Sequence, residues 1–241
     1  LLAVGFLLYA LRRFNHAIFP DSARQRLFAF ALAALGSGLG WLFFLFLPAM
    51  PSDFWVAEAY PFLSSYANPH FPFGLALVLL LLTPDPFHWK DWRTGALHFM
   101  LSVLLGFSAP FNIVVVIVVR GVMLLWQFAA RNDWHSALAH LIWIGVGGGS
   151  VLLYQYVTIL QHPVLSLWNE QNITASPPFY DYLIAFSPAL LLAAPGAVWY
   201  WKRAGNRQKI LVFWFITCLL LVYVPFNLQR RFIVGFYVPA A

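Results

Sequence analysis

The sequence predicts an all-α fold, a transmembrane helix bundle of a polytopic membrane protein. Of the 241 residues, 62% are hydrophobic and only 9% are charged, whereas soluble domains carry about 25% charged residues. Aromatic residues make up 19% of the chain and include 11 Trp, a content typical of proteins with aromatic belts at the two faces of a bilayer. The bilayer is therefore the expected solvent and partner of this chain.

The net charge of +6 indicates orientation and lipid contact before any soluble partner, because Lys and Arg concentrate in cytoplasmic loops. We therefore expect no nucleic-acid partner. Cys218 is the single cysteine and lies in an apolar run, so an intrachain disulfide is impossible. The chain begins and ends in apolar runs, and we expect one transmembrane domain, residues 1–241, in a fragment that lacks both ends.

Apolar runs separated by polar stretches predict seven to eight membrane segments. Residues 27–47 and 137–159 are each long enough to cross a hydrocarbon core of about 30 Å, and glycines in the second run favour close helix packing. Pro110 and Asn112 interrupt another stretch, which predicts a hairpin of two short helices or a partly re-entrant pair. The remaining expected segments are residues 1–11, 71–82, 94–108, 111–128, 183–201 and 210–224.

The distribution of Lys and Arg predicts the orientation of these segments. Basic residues occur around positions 12–26, 90–93, 131 and 202–209, and all of these stretches fall on one side when successive spans alternate in direction. This side is predicted to be cytoplasmic. Two long loops, residues 48–70 and 161–182, contain no Lys or Arg and are predicted to be external. The expected location is a membrane that the chain crosses several times.

The first external loop carries three candidate functional residues, Asp53, Glu58 and His70. A carboxylate can act as a general base or hold a divalent cation such as Mg²⁺ or Mn²⁺, and a histidine can add a ligand or orient a phosphate. Glu58 and Asp53 are catalytic candidates, and all three residues are candidate metal ligands. The alternative is structural, with Asp53 in the first turn of a short helix and Glu58 merely solvated.

A second candidate site follows the last complete apolar run, in the sequence Pro-Phe-Asn-Leu-Gln-Arg-Arg-Phe at 225–232. Arg230 and Arg231 lie on the predicted external side, against the charge pattern of the other loops. Guanidinium groups bind phosphate or diphosphate in a bidentate manner, so Gln229, Arg230 and Arg231 are candidate phosphate-binding residues. The alternative partners are lipid headgroup phosphates or an acid of the second external loop.

Arg120 and Glu170 are further candidates. Arg120 lies within an apolar run, where an arginine is costly and marks a functional site by default, although a helix that ends early would let its side chain reach the interface. Glu170 is the carboxylate in the first half of the second external loop, and it either faces the same cavity as Glu58 or belongs to a plain loop.

Several catalytic motifs are missing from the sequence. It contains no P-loop, no Gly-x-Ser-x-Gly, no His-Glu-x-x-His and no cysteine cluster, so the usual signatures of ATP hydrolysis, serine hydrolysis and zinc proteolysis are absent. Acidic residues are scarce inside the apolar runs, which counts against a proton-coupled carrier.

The acid-bearing external loops and two short motifs resemble the GT-C superfamily of integral membrane glycosyltransferases. The motifs are Asp53-Phe-Trp-Val-Ala-Glu58 with Asn68-Pro-His70-Phe-Pro, and Pro-Phe-Asn-Leu-Gln-Arg230-Arg231-Phe followed by Gly235 and Pro239. The first is similar to the second external loop of such proteins, which typically place a catalytic Asp in the first external loop. That loop would precede Leu1, so the resemblance leaves Glu58, ahead of Asp53, as the candidate acid of this chain.

The resemblance implies transfer of a sugar from a polyprenyl-phosphate carrier to an acceptor at the external membrane face, in a bacterial inner membrane or a plasma membrane. The lipid-linked donor is then the expected partner, Arg230 and Arg231 neutralise charge on the leaving phosphate, and a base deprotonates the acceptor hydroxyl. The alternatives are a non-enzymatic transporter or flippase of lipid-linked saccharides, for which no internal inverted symmetry is visible in the sequence, and a membrane scaffold without a ligand.

Overall fold

The structure is a computed structural model that describes residues 1–46, 50–84, 91–203 and 205–241. Every regular element in these ranges is helical, which confirms the predicted all-α fold. Two short 3-10 turns, Ser52–Phe54 and Gln229–Ile233, accompany the α-helices. The α-helices of the described ranges are α1 (Leu2–Ile18), α2 (Ala23–Leu35), α3 (Gly40–Phe43), α4 (Pro61–Ala67), α5 (His70–Leu82), α6 (Trp92–Ser108), α7 (Pro110–Ala129), α8 (Trp134–Gln161), α9 (Pro163–Gln171), α10 (Phe179–Ala185), α11 (Ala189–Arg203), α12 (Asn206–Leu221) and α13 (Tyr237–Ala240).

Two helices of the described chain, α7 and α8, are long and apolar enough to cross a membrane. A third candidate arises if α10 and α11 form one span, although the two helices are bent by 91° at the break between them. The prediction of seven to eight membrane segments is therefore not supported by the described residues. The other apolar helices of the described ranges have at most 17 residues, and at least one of the predicted runs contains a break that apolar composition alone does not show.

The run at 27–47 illustrates such a break. Helix α2 ends at Leu35, and Gly36 continues in an extended conformation with φ −72° and ψ 149°. A Cβ atom on Gly36 would lie 2.5 Å from the ring of Tyr237, and one on Gly38 would lie 1.4 Å from the carbonyl oxygen of Ala185. The chain therefore turns here instead of forming one long span, and residue 47, the predicted end of that span, lies outside the described ranges.

The bundle is organised around α5, most of whose residues are buried. Helices α1 and α6 pack along α5, and α8 packs against α6 and α7. The segment after the second 3-10 turn folds back into this core, where Gly235 has a φ of +60°. A Cβ atom there would lie 2.5 Å from Leu75 and 2.8 Å from Trp214, so only glycine fits. This close approach brings the second 3-10 turn, and with it Arg231, against the first external loop.

The contact between α6 and α8 depends on small residues of α8. A Cβ atom on Gly147 would lie 2.3 Å from the hydroxyl of Ser102 and 2.7 Å from the carbonyl oxygen of Phe99, both in α6. Close approach of helix backbones through glycine is a common packing mode of membrane helices. Gly147, within the glycine-rich part of residues 137–159, thus lies in this interface, whereas a Cβ atom on Gly145 or Gly149 would have no neighbour within 4 Å.

We expect Gly147→Ala to lower the free energy of unfolding by about 1–3 kcal/mol, because the added methyl group overpacks the contact with α6. Gly149→Ala is the matched control, since nothing lies within 4 Å of a Cβ atom at that position and alanine favours the helix by up to about 1 kcal/mol. Thermal unfolding in detergent micelles measures both variants. Equal unfolding temperatures of the two variants would contradict the packing role of Gly147.

Candidate functional site

An ion pair between Arg231 and Glu58 joins the second 3-10 turn to the first external loop. The Nη1 group of Arg231 donates a hydrogen bond to Oε1 of Glu58. Next to this pair, the backbone N–H of Gly235 donates to the carbonyl oxygen of Glu58 at 2.7 Å, and that of Tyr237 donates to Ala59 at 3.1 Å. The backbone contacts hold the two chain segments together and thereby fix the ion pair.

The two partners of the pair differ in exposure. The side chain of Glu58 is 7% exposed, whereas that of Arg231 is 30% exposed. A guanidinium carries five N–H donors, and the hydrogen bond to Glu58 uses one of them. The carboxylate is thus enclosed, while part of the guanidinium remains open to a ligand.

Arg231 and Glu58 line a cavity of about 400 Å³, which we call the polar cavity. Its wall also includes His70 at the start of α5, Asn112 near the start of α7, and Asn172 at the end of α9. Partial burial, and next the nearby charge of Arg231, lower the pKa of His70 below its ordinary value, so its imidazole is neutral at pH 7. The polar cavity therefore combines one ion pair with neutral hydrogen-bonding groups.

A second cavity of about 510 Å³, which we call the apolar cavity, adjoins the polar cavity. It runs along residues 152–160 in the last turns of α8 and reaches α9. The residues that line both cavities are Pro110, Phe111, Trp168, Asn172 and Leu228. The polar cavity and the apolar cavity thus share part of their lining.

Helix α9 supplies residues that the sequence prediction did not single out. Leu165, Trp168 and Asn172 line the cavities, whereas the predicted candidate Glu170 is exposed and lines neither. Residues spaced by three or four positions share one face of a helix, and a residue two positions away does not. The helical period of 165, 168, 169 and 172 was the signal that could have found this face.

Asp53 does not line the polar cavity. Its Oδ2 accepts a hydrogen bond from the backbone N–H of Gly40 at 2.9 Å, and its buried Oδ1 has no hydrogen-bond partner among the described residues. Burial raises the pKa of Asp53 to about 6, which the Gly40 hydrogen bond opposes and the charge of Asp181 reinforces. In this structure the hydrogen bond of Asp53 connects the first 3-10 turn to the first residue of α3.

The two adjacent arginines have different surroundings. The guanidinium of Arg230 lies 4.9 Å from the ring centroid of Trp55, and its backbone N–H donates to the carbonyl oxygen of Thr174 at 3.2 Å. Arg230 does not line the polar cavity. Of the predicted Arg-Arg motif, Arg231 therefore faces the cavity and Arg230 packs against the first external loop.

Gln229 links the same turn to the second external loop. With its amide oriented to satisfy both groups, the side-chain nitrogen donates to the carbonyl oxygen of Val224 at 2.9 Å and the oxygen accepts from the N–H of Ser176 at 3.0 Å. Its contacts are with main chain, and it does not line the polar cavity.

Arg120 contacts the end of α5. Its Nε and Nη2 groups donate to the carbonyl oxygen of Leu81 at 3.0 and 2.6 Å, and Nη2 also donates to Thr83 at 2.9 Å. The last carbonyl groups of a helix have no partner within the helix. The buried Arg120 therefore caps α5 from the neighbouring α7, away from the polar cavity.

The candidate metal ligands are not brought together. Within the described ranges, no three His, Cys, Asp or Glu side chains lie close enough to hold a metal ion. Glu58 is paired with Arg231, whose charge opposes a cation, and Asp53 is bonded to Gly40. The divalent cation stays a prediction, and the chemistry proposed below uses only side chains of the described residues.

We expect the contribution of Asp53 to the free energy of unfolding to rise as the pH falls from about 6 to about 4. The pKa of Asp53 in the fold, about 6, exceeds its ordinary value of 3.8, so the folded state binds a proton more tightly than the unfolded state in this window. Asp53→Asn should remove this part of the pH dependence and raise the unfolding temperature at pH 7, because a neutral amide oxygen can still accept from Gly40.

Thermal unfolding across this pH range measures the effect. Asp21→Asn is the control, because Asp21 is exposed and its loss should leave the wild-type pH dependence in place. An Asp53→Asn profile identical to that of the wild type would contradict the penalty of burying the Asp53 charge.

Comparison of the chain with protein-family models, with curated proteins and with solved structures found no match. These comparisons neither support nor oppose the resemblance to GT-C glycosyltransferases. The site is therefore interpreted from its own residues, an enclosed Glu58 paired with a partly open Arg231 where a polar cavity meets an apolar one.

Proposed function

We propose that the protein is a multi-pass membrane glycosyltransferase that moves a sugar from a polyprenyl-phosphate carrier to an acceptor at the external face of a bacterial inner or plasma membrane. The observation that carries this proposal is that the polar cavity at Arg231 and the apolar cavity along α8 lie side by side and share lining residues. A polyprenyl-phosphate sugar has the matching parts, a polar sugar and a phosphate joined to an apolar chain.

The helix ends around the polar cavity support the external location. The cavity is lined by the start of α5, the end of α6 and the start of α7, all of which the charge pattern assigns to the external side. Arg131 lies just beyond the opposite end of α7, and Lys202 and Arg203 lie in the last turn of α11, on the predicted cytoplasmic side.

Arg231 is suited to the phosphate of the donor. A planar guanidinium binds phosphate oxygens in a bidentate manner, and the exposed part of Arg231 lines the cavity. As the bond to the sugar breaks, negative charge grows on the leaving phosphate, and a fixed positive charge in a poorly solvated site stabilises it strongly. The ion pair with Glu58 holds the guanidinium in position before the donor arrives.

Glu58 is the candidate base, since it is the carboxylate that lines the polar cavity in the described part of the chain. In the proposed transfer, the acceptor oxygen bonds to the anomeric carbon, the bond from that carbon to the phosphate oxygen breaks, and the acceptor proton passes to Glu58. Polyprenyl phosphate leaves with the electron pair. Arg231 contacts Glu58 and faces the cavity, so the same guanidinium would lie beside both the base and the phosphate.

We expect Arg231→Gln to weaken binding of undecaprenyl phosphate by about 10–100-fold, the equivalent of one charged hydrogen bond. Glu58→Gln should lower the rate of sugar transfer by about 10²–10⁴-fold, the usual contribution of a general base. Arg230→Gln should have a smaller effect than Arg231→Gln, because Arg230 packs on Trp55. Glu170→Gln is the matched control, an exposed acid of the other external loop, and should change neither quantity.

Binding is measured in nanodiscs, and transfer is measured with radiolabelled undecaprenyl-phosphate sugars in proteoliposomes, with membrane insertion checked for each variant. Unchanged transfer by Glu58→Gln would remove the base, and unchanged binding by Arg231→Gln would remove the phosphate site. Movement of the saccharide across the bilayer without a new glycosidic bond would favour the flippase alternative.

We expect Ile159→Trp to raise the KM for long-chain polyprenyl donors by about tenfold, because the larger ring fills part of the apolar cavity that Ile159 lines. Donors with only two isoprene units should be unaffected. Val157→Trp is the control on the same helix, since Val157 does not line the cavity. Equal KM values for the two variants would show that the chain of the donor does not bind there.

A further inference from the structure

A basic cavity of about 500 Å³ lies at the opposite end of the bundle from the polar cavity. The two cavities lie at opposite ends of helix α5. This helix begins at His70 in the wall of the polar cavity and ends two residues before Pro84, which lines the basic cavity. Its 13 residues span about 20 Å. The charge pattern of the loops assigns this end to the cytoplasmic side.

The basic cavity brings together residues from two helices that are distant in sequence. Arg12, Arg13 and His16 come from the last turns of α1, and Arg207 comes from the first turn of α12. Among the described residues, no carboxylate lines this cavity.

A hydrogen bond fixes this arrangement. The side-chain amide of Gln208 donates to the carbonyl oxygen of Ile18 at 2.8 Å, across 190 positions of sequence. This bond joins the first turn of α12 to the last residue of α1 and so holds Arg207 beside the end of α1. Arg12 and His16 are four positions apart and therefore share the face of α1 that lines the cavity.

Other basic residues of this side have partners within the protein. Arg26 donates to the carbonyl oxygens of Phe19 and Pro20 at 3.1 and 2.6 Å, and the amine of Lys209 lies 4.1 Å from the ring centroid of Trp126. In the ranges that the structure describes, Arg12 and Arg207 make no hydrogen bond, ion pair or ring contact and are exposed. The positive-inside rule explains the side on which they lie but not their convergence on one cavity.

We propose that the basic cavity binds a phosphate group, either as the headgroup of an anionic phospholipid or as free phosphate. Guanidinium groups from two directions match the oxygens of a phosphate, and an anion between them removes their mutual repulsion. Helix α12 adds to this attraction, because its N-cap residue Gly205 supplies no side-chain acceptor to the first turn and the N-terminus of a helix favours anions.

The two sources share this chemistry but differ in what surrounds the phosphate. Tyr9 of α1 lines the cavity and is exposed. Leu2 and Leu8 of the same helix are also exposed, although they do not line the cavity. The acyl chains of a bound lipid would therefore have an apolar surface along α1. Basic pockets between helices on the cytoplasmic side are a recurring binding mode for anionic headgroups. The proposal uses none of the residues of the polar cavity and does not depend on glycosyl transfer.

The test uses the full chain in nanodiscs of neutral phosphatidylcholine, to which fluorescent phosphatidylglycerol or inorganic phosphate is added at constant ionic strength. The variant Arg12→Gln/Arg207→Gln should bind the probe at least about tenfold more weakly than the wild type, since two cations near a membrane surface each contribute about a factor of five. Arg24→Gln/Arg93→Gln is the matched control, which removes two cations of the same predicted side outside the cavity and should bind as the wild type does.

If the wild type binds phosphatidylglycerol saturably and only Arg12→Gln/Arg207→Gln loses this binding, the ligand is a lipid headgroup. If the same loss is seen with inorganic phosphate, the ligand is free phosphate. Two outcomes would overturn the proposal. Equal losses of probe binding in Arg12→Gln/Arg207→Gln and in the control variant would mean general attraction to a basic surface. A wild type that binds neither probe would mean that there is no site. Unfolding temperatures in phosphatidylcholine alone confirm that both variants are folded.

Discussion

The pairing of Arg231 with Glu58 is the interaction on which the end of the bundle around the polar cavity depends. In a chain with only 9% charged residues, an enclosed carboxylate without a counter-charge would cost several kcal/mol. The pair, with the backbone hydrogen bonds of Gly235 and Tyr237, holds together chain segments that are 173 positions apart. The outer part of the Arg231 guanidinium stays open and lines the polar cavity. The Arg231–Glu58 pair therefore joins the two segments and also forms part of the cavity wall.

Composition predicted the helical class because a chain of this apolar content must satisfy its backbone hydrogen bonds internally, and helices do so within one segment. The same reasoning overcounted the membrane segments. At Gly36 and Gly38 the chain turns where Tyr237 and Ala185 approach it too closely for any side chain. Those neighbours are distant in sequence, so no local pattern of apolar residues reveals the break.

The candidate site was predictable in its residue types and not in its geometry. Charge pattern and topology drew attention to Glu58, His70 and the two arginines, but adjacent residues of a 3-10 turn point about 120° apart, and only the fold shows that Arg231 faces the cavity while Arg230 lies on Trp55. Arg120 shows the same limit. An arginine in an apolar run suggests a ligand, but the carbonyl groups that it caps belong to another helix.

The length of α8 has a consequence for the lipids around the protein. Its 28 residues make about 42 Å of helix, more than a hydrocarbon core of about 30 Å can cover. Placed across a bilayer from its N-terminal end, α8 carries residues 152–160, the wall of the apolar cavity, to the level where acyl chains give way to headgroups. A thicker bilayer would immerse more of that wall and a thinner one less, so under the proposed function membrane thickness would affect how readily a lipid-linked donor reaches the apolar cavity.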